Sequence, residues 1–272
     1  MYTNTIDYFI QSAERRVTQL HQNPLGFLAG SIAGGAYIGL GILLILNVGA
    51  HLPAEYQKLG MGLTFAIALI LVTIAGAELF TGYAMYMTFG RLAGRVSWFD
   101  ATGSMLACWT GNLLGAALVA GLFALGGANG LLDDPQSMLF KIADAKMQAG
   151  PVALVAKAVL CNWLVCLALW MASRVDSDVA RCVVIFWCLL AFITSGFEHS
   201  VANMTVLSLA VIGRSGDLPT LFSAFYNLLF VTLGNLIGGA LLVAVSYWVA
   251  DRGVRSEKPA TSKSVSIPLS SP

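Results

Sequence analysis

The sequence predicts an all-α polytopic membrane protein with six transmembrane helices, built as an inverted 3+3 repeat with broken second and fifth helices. Three observations carry this. Of 272 residues, 57% are hydrophobic and only 11% charged, whereas a soluble domain carries about a quarter charged residues. Six segments, roughly 25–49, 61–89, 103–126, 151–173, 180–213 and 221–250, reach the about 20 apolar residues that cross a bilayer core. The halves also repeat each other's wording: WTGNLLGA at 109–116 answers TLGNLIGG at 232–239. Three spans per half is an odd number, so a duplicated second half sits upside down.

The elements follow in chain order. Residues 1–24 are too polar for the apolar region of a signal peptide. Ile6, Phe9, Ile10, Ala13, Val17 and Leu20 fall at helical spacing with Glu14, Arg15 and Arg16 interleaved. This predicts an amphipathic cytoplasmic helix lying on the membrane surface and ended by Asn23-Pro24. Residues 25–250 are expected to form one six-helix transmembrane domain, with repeats at about 25–126 and 151–250, and 251–272 read as a disordered tail containing Ser, Pro and Lys. Arg15, Arg16, Arg91, Arg95, Arg174, Arg181, Arg252, Arg255, Lys258 and Lys263 fall on the side of the termini, against Lys58, Lys141, Lys146 and Arg214 on the other. Cytoplasmic loops hold the excess of basic residues, which places both termini in the cytoplasm.

The second and fifth segments are too long for one plain span and are interrupted: AGAELFTGYAM at 75–85 and SGFEHSVANM at 195–204. Glu78 follows Gly76-Ala77, and Glu198 follows Gly196-Phe197. Helices are expected to break there, because irregular backbone at membrane depth survives only where protein or a water-filled path satisfies it. Gly111 and Gly115, like Gly234 and Gly238, share a helix face, and such small-residue pairs let backbones approach closely.

The polar residues inside these segments are the candidates for function. His199 heads them, either as a donor to a small anion, neutral or cationic, or as a buried brace of its loop. Thr81 follows the first break and is expected to face His199. Asn162 either lines a path or bridges helices, since a buried amide needs partners. Glu78 and Glu198 suit loop bracing better than a free place in a path: their carboxylates take N–H bonds of the broken turns or pair with Asn112 and Asn235, with a proton relay as the second role. Lys157, within the fourth segment, reads as a lysine that snorkels outward. Phe65, Leu69, Leu79, Phe80, Val165, Phe192 and Phe197 flank the breaks and are candidates for dry constrictions. Cys108, Cys161, Cys166, Cys182 and Cys188 make no CxxC pair and read as packing residues. The chain has no GxxxxGK[ST] motif, and Ser215 of the GRSG at 213–216 lies between Arg214 and Asp217 in a loop, a poor place for a nucleophile. No basic cluster points to nucleic acid, and neither an enzyme nor a cofactor is expected.

LGFLAG at 25–30, ELFTG at 78–82, GNLLG at 111–115, LCNWLVCLALWMA at 160–172, SGFEHSVANM and GNLIGG at 234–239 together resemble the formate/nitrite transporter family, over nearly the whole membrane domain. NPLGF at 23–27, WCLLAFITSGFEHSVANMT at 187–205 and NLLFVTLGNL at 227–236 read closer to its nitrite channels than to its formate channels. The resemblance implies an aquaporin-like bundle assembled as a homopentamer with a pore in each protomer, in the bacterial inner membrane. It puts the family's pore histidine on His199, its loop threonine on Thr81, its polar fourth-helix residue on Asn162 and an anion-gathering outer lysine on Lys146. It puts the cytoplasmic constriction on Leu79 and Val165, and the outer one on Phe65, Leu69 and Phe192. The expectation is thus a channel for nitrite and similar small monovalent anions, with His199 either binding the anion or lending it a proton. A formate or broader anion channel, a facilitator of neutral solutes such as water or ammonia, and a non-conducting scaffold are the alternatives.

Overall fold

The computed structural model describes residues 2–251; the predicted tail and the basic residues from Arg252 onward lie outside them. The described chain is helical and has no strand. Helix α1 spans Thr3–Gln22, and Asn23 caps α2, Pro24–Ala50, by accepting the Gly26 N–H with its side chain. Then come α3 (Ala54–Phe65), α4 (Ile67–Ile74), α5 (Phe80–Leu92), α6 (Trp98–Leu125), α7 (Met138–Met147) and α8 (Pro151–Ala172). Helices α9 (Asp178–Thr194), α10 (Ser200–Gly213) and α11 (Leu218–Ile237) follow, and α11 continues through a π-helical stretch at Gly238–Val245 into α12, Ser246–Ala250.

Five helical stretches are long and apolar enough to cross a membrane: Pro24–Ala50, Ala54–Ile74, Trp98–Leu125, Pro151–Ala172 and Leu218–Ala250. The outer surface fits that reading. Leu106, Leu114, Leu118, Leu122 and Leu125 of α6 are all exposed, as an apolar solvent allows. The predicted fifth segment at 180–213 is not one span: it divides into α9 and α10, each too short to cross alone. The predicted second segment starts earlier than drawn, at Ala54, and divides at 75–79.

Two pairs of helices pack at backbone distance. A Cβ at Gly111 or Gly115 of α6 would run into α2 at Ser31 and the Ile32 carbonyl, and one at Gly234 or Gly238 of α11 would run into the Val155 and Val159 carbonyls of α8. Helix α1 corrects its expected place. Ile6, Phe9, Ile10 and Ala13 are buried against the bundle rather than laid on lipid. Phe9 stacks on Tyr86, Phe89 and Trp170 at 5.4, 6.0 and 5.7 Å. An amphipathic period shows that one face is apolar, not what covers it, and here the cover is protein.

Candidate functional site

The site begins with two helix ends. Two residues past the ends of α4 and α9 stand Gly76 (φ 79°) and Gly196 (φ 69°), left-handed positions that glycine reaches without a Cβ penalty. The next N–H groups, of Ala77 and Phe197, reach back to the carbonyls of Val72 and Phe192, which closes each helix end. The chain then extends for a few residues and re-enters a helix at Phe80 and at Ser200.

The same parts hold both breaks. The Glu78 N–H donates to the Gly30 carbonyl (3.1 Å) and the Glu198 N–H to the Lys157 carbonyl (3.4 Å). Asn112 donates to the carbonyls of Ser31 and Glu78 and accepts the Phe80 N–H at 2.9 Å. Asn235 donates to the carbonyls of Ala158 and Glu198 and accepts the Ser200 N–H at 2.8 Å. The asparagines therefore bind the backbone of the breaks, not the carboxylates. An amide offers donor and acceptor together, which is what an interrupted backbone lacks. The carboxylates take cations instead. Glu78 pairs with Arg16 of α1 (2.7 Å) and accepts the Tyr83 hydroxyl (3.0 Å). Glu198 pairs with Lys146 of α7 (2.9 Å) and accepts an N–H of Asn203 (2.6 Å).

Between the breaks lies one polar contact. Thr81 Oγ1 is 3.2 Å from His199 Nε2, and both residues are buried. The Ala202 N–H donates to His199 Nδ1 at 3.1 Å. With Nδ1 an acceptor, the neutral ring carries its proton on Nε2, which donates to Thr81 or to an arriving group. Thr81 lies in the first turn of α5 and His199 is the N-cap of α10, so two helix N-termini meet here with their partial positive charge. Asn162 donates to the carbonyls of Thr81 (3.0 Å) and Asn235 (2.6 Å); of its two predicted roles, the geometry makes it a bridge between helices.

Two cavities flank this contact and share no lining residue. The first, about 460 Å³, is bordered by Arg16, Leu69, Glu78, Leu79, Tyr86 and Arg181, among others. The second, about 330 Å³, is bordered by Lys58, Lys146, Lys157, Phe192, Phe197, Glu198 and His199, among others. Helix α8 touches the second at Lys157 and the first at Leu169, about 18 Å along its axis. The cavities thus lie toward opposite ends of the bundle, the first beside α1. Phe65, Phe80 and Val165 are buried and border neither cavity, and Phe65 meets Phe192 edge-on at 5.5 Å. Leu69, expected with the outer constriction, borders the first cavity together with Leu79: it stands on α4, a full turn past Phe65, which carries it toward α1.

A model of the family described as formate/nitrite transporter matches residues 3–249. The chain belongs to the formate/nitrite transporter family. It is 46% identical to the nitrite transporter NirC of Salmonella typhimurium, over 97% of this chain and 96% of that one. It is also 46% identical to the nitrite transporter NirC of Escherichia coli K12, over 92% of each, and 30% identical to the formate channel FocA of Escherichia coli K12, over 87% and 90%. Among solved structures, an FNT family ion channel matches with a TM-score of 0.88 at 46% identity, covering 91% of this chain and 99% of that one. A pentameric formate channel with formate bound shares the fold, with a TM-score of 0.67 at 24% identity, covering 88% and 98%.

For a member of this family, the sequence reading missed several parts of the site. Arg16 appeared only as a charge on an amphipathic helix, yet it reaches Glu78 and lies 4.6 Å over the Tyr86 ring. Tyr83 and Asn203 each stand five residues past a glutamate, a matched spacing that would have disclosed them. Asn227, which accepts from Asn203 and donates to the Lys146 carbonyl (2.9 Å), fixes the lysine helix α7 to the bundle. Lys146 itself is engaged with Glu198 rather than free.

Proposed function

We propose that this protein is a nitrite channel or transporter that moves nitrite and related small monovalent anions across the bacterial inner membrane. The observation that carries the reading is the Thr81–His199 contact, where two helix N-termini meet between two cavities bordered by cations. We take the six spans to form two inverted halves, a reading supported by the matching braces of the breaks, with both termini cytoplasmic, and the assembly to be a homopentamer with a path in each protomer.

In this mechanism the excess of cations over carboxylates at the second cavity raises the local concentration of anions there. Leu69, Leu79, Phe65, Val165 and Phe192 make the walls dry, so the anion sheds water and needs a substitute. The Thr81 hydroxyl, the His199 Nε2–H and the two helix N-termini supply it without a fixed carboxylate in the way, because Glu78 and Glu198 are turned to Arg16 and Lys146. A histidine that lends a proton needs a second one on Nδ1, which faces the Ala202 N–H. Two N–H groups would then oppose each other, so the hydrogen-bond role is the one we propose. Formate or a broader set of anions is the second reading, favoured by the 30% identity to a formate channel.

The test is uptake into liposomes containing the purified protein, with nitrite and formate side by side at two external pH values. His199→Asn keeps a side chain suited to capping α10 but cannot reach Thr81 as the imidazole does, and should lower nitrite flux about tenfold or more, the scale of one hydrogen bond to a charged group. Flux should depend little on external pH. A steep dependence on acid that vanishes in His199→Asn would move the mechanism to proton donation, and no anion flux in the unaltered protein would refute the reading.

A further inference from the structure

The two mouths differ in how their cations are used. At the first, Arg16 is paired with Glu78 and Arg181 with Asp178 (2.8 Å). At the second, Lys58, Lys146 and Lys157 border the cavity against one carboxylate, Glu198, and that carboxylate is taken by Lys146. Among the described residues, neither Lys58 nor Lys157 makes an ion pair. Lys157 also holds a distinctive place. The carbonyl that receives the Glu198 N–H belongs to Lys157, whereas at the first break the same service comes from Gly30. Where the first half carries a hydrogen atom, the second carries an ammonium on a flexible stem, next to the break and on the wall of the cavity that His199 borders.

We propose that Lys157 is the anion-capture residue of the second mouth, and that Lys146 serves chiefly to neutralise and position Glu198. This rests on the anion-transport reading above. A cation already 2.9 Å from a carboxylate presents little net charge to an incoming ion, since the pair is seen from a distance as a dipole. An unpaired ammonium at the wall of a low-dielectric cavity focuses its field into it. Lys58, on α3, adds to the field. Lys157 is the one attached to the element that holds the break.

The test compares Lys157→Gln, Lys157→Arg and Lys146→Gln in liposomes, following initial nitrite influx against concentration at low and high ionic strength. Lys157→Gln should raise the half-saturating nitrite concentration about three- to tenfold at low salt while leaving the maximal rate unchanged. The difference should shrink toward none near 1 M salt, where the screening length is about 3 Å. Lys157→Arg, which keeps the charge, should restore the original half-saturation. Lys146→Gln should act differently, lowering the maximal rate and the thermal stability because Glu198 is left without its cation. The inference is overturned if Lys157→Gln retains the original half-saturation and salt dependence, if Lys157→Arg is as impaired as Lys157→Gln, or if Lys146→Gln alone shifts half-saturation. Unaltered protein that passes nitrite while Lys157→Gln behaves identically would refute this inference and leave the anion reading standing; unaltered protein that passes no anion would refute both.

Discussion

The break before α5 and the break before α10 have almost the same backbone and opposite chemistry. Leu79 and His199 stand at equivalent positions, each the extended residue ahead of a helix, with φ and ψ of −119° and 119° in one and −114° and 117° in the other. Around them the parts correspond: a left-handed glycine, a glutamate with a cation, and an asparagine across the turn. Yet one position carries an aliphatic side chain and the other an imidazole. The comparison separates two requirements. Interrupting a helix inside an apolar bundle needs a fixed set of donors and acceptors at each break. Handling an anion needs a polar group at only one, provided both helix ends converge on it.

The largest effect expected from breaking this correspondence falls on the asparagines. Asn112→Ala and Asn235→Ala each remove two donated bonds and one accepted bond from buried backbone. Leaving such groups unsatisfied costs about 1–3 kcal/mol each, so with three groups affected each variant should lose about 3 kcal/mol or more, read as a lower unfolding temperature in detergent. Because the two breaks are braced alike, the losses should be similar. A loss confined to Asn235→Ala would mean that only the histidine-bearing break depends on its amide.

Next in size come the ion pairs. Arg16→Gln and Lys146→Gln each strand a carboxylate in a site of low exposure, 16% for Glu78 and 8% for Glu198. Losing one partner of a fully buried pair costs about 3–5 kcal/mol, and partial exposure reduces this to about 1–3 kcal/mol. The sharper measurement is the double variant. Arg16→Gln with Glu78→Gln, and Lys146→Gln with Glu198→Gln, should recover most of the lost stability, since two neutral amides replace one unpaired charge. If the double variants melt no higher than the singles, the pairs brace nothing and the glutamates act otherwise.

Much of this arrangement was legible in the chain, for physical reasons that also mark the limit. The breaks at Glu78 and Glu198 were visible because a glutamate behind a glycine interrupts an apolar run too long for one span. Asn112 and Asn235 were visible through the repeated GNL wording. Their partners were not: an amide and a carboxylate are both plausible company, and only the geometry sends the asparagine to backbone carbonyls and the carboxylate to a cation. Arg16 and Lys146 lie 62 and 52 residues from the glutamates they meet, and no local pattern reports such a meeting. Lys157 looked like a lysine reaching for the interface, since a side chain near a span end is read from depth alone, and depth is silent about which face of α8 borders a cavity.

The smallest expected effect concerns the glycines that end α4 and α9. Gly76 and Gly196 both have φ near 70–80°, and a Cβ built at either would meet nothing within 4 Å. Replacement by alanine therefore tests backbone strain without a steric clash. The left-handed conformation costs a residue with a Cβ roughly 1–2 kcal/mol, and alanine also narrows the unfolded ensemble, which returns about 0.4–1 kcal/mol. The net loss for Gly76→Ala should be about 1 kcal/mol, and the same for Gly196→Ala. Function should distinguish them. A shift at residue 196 is passed through Phe197 and Glu198 to His199, so Gly196→Ala should slow nitrite uptake, whereas Gly76→Ala passes its shift to Leu79 and should leave uptake nearly unchanged. Equal slowing by both variants would mean that the two breaks move as a unit, with the imidazole responding to strain across the whole Thr81–His199 contact rather than to its own loop.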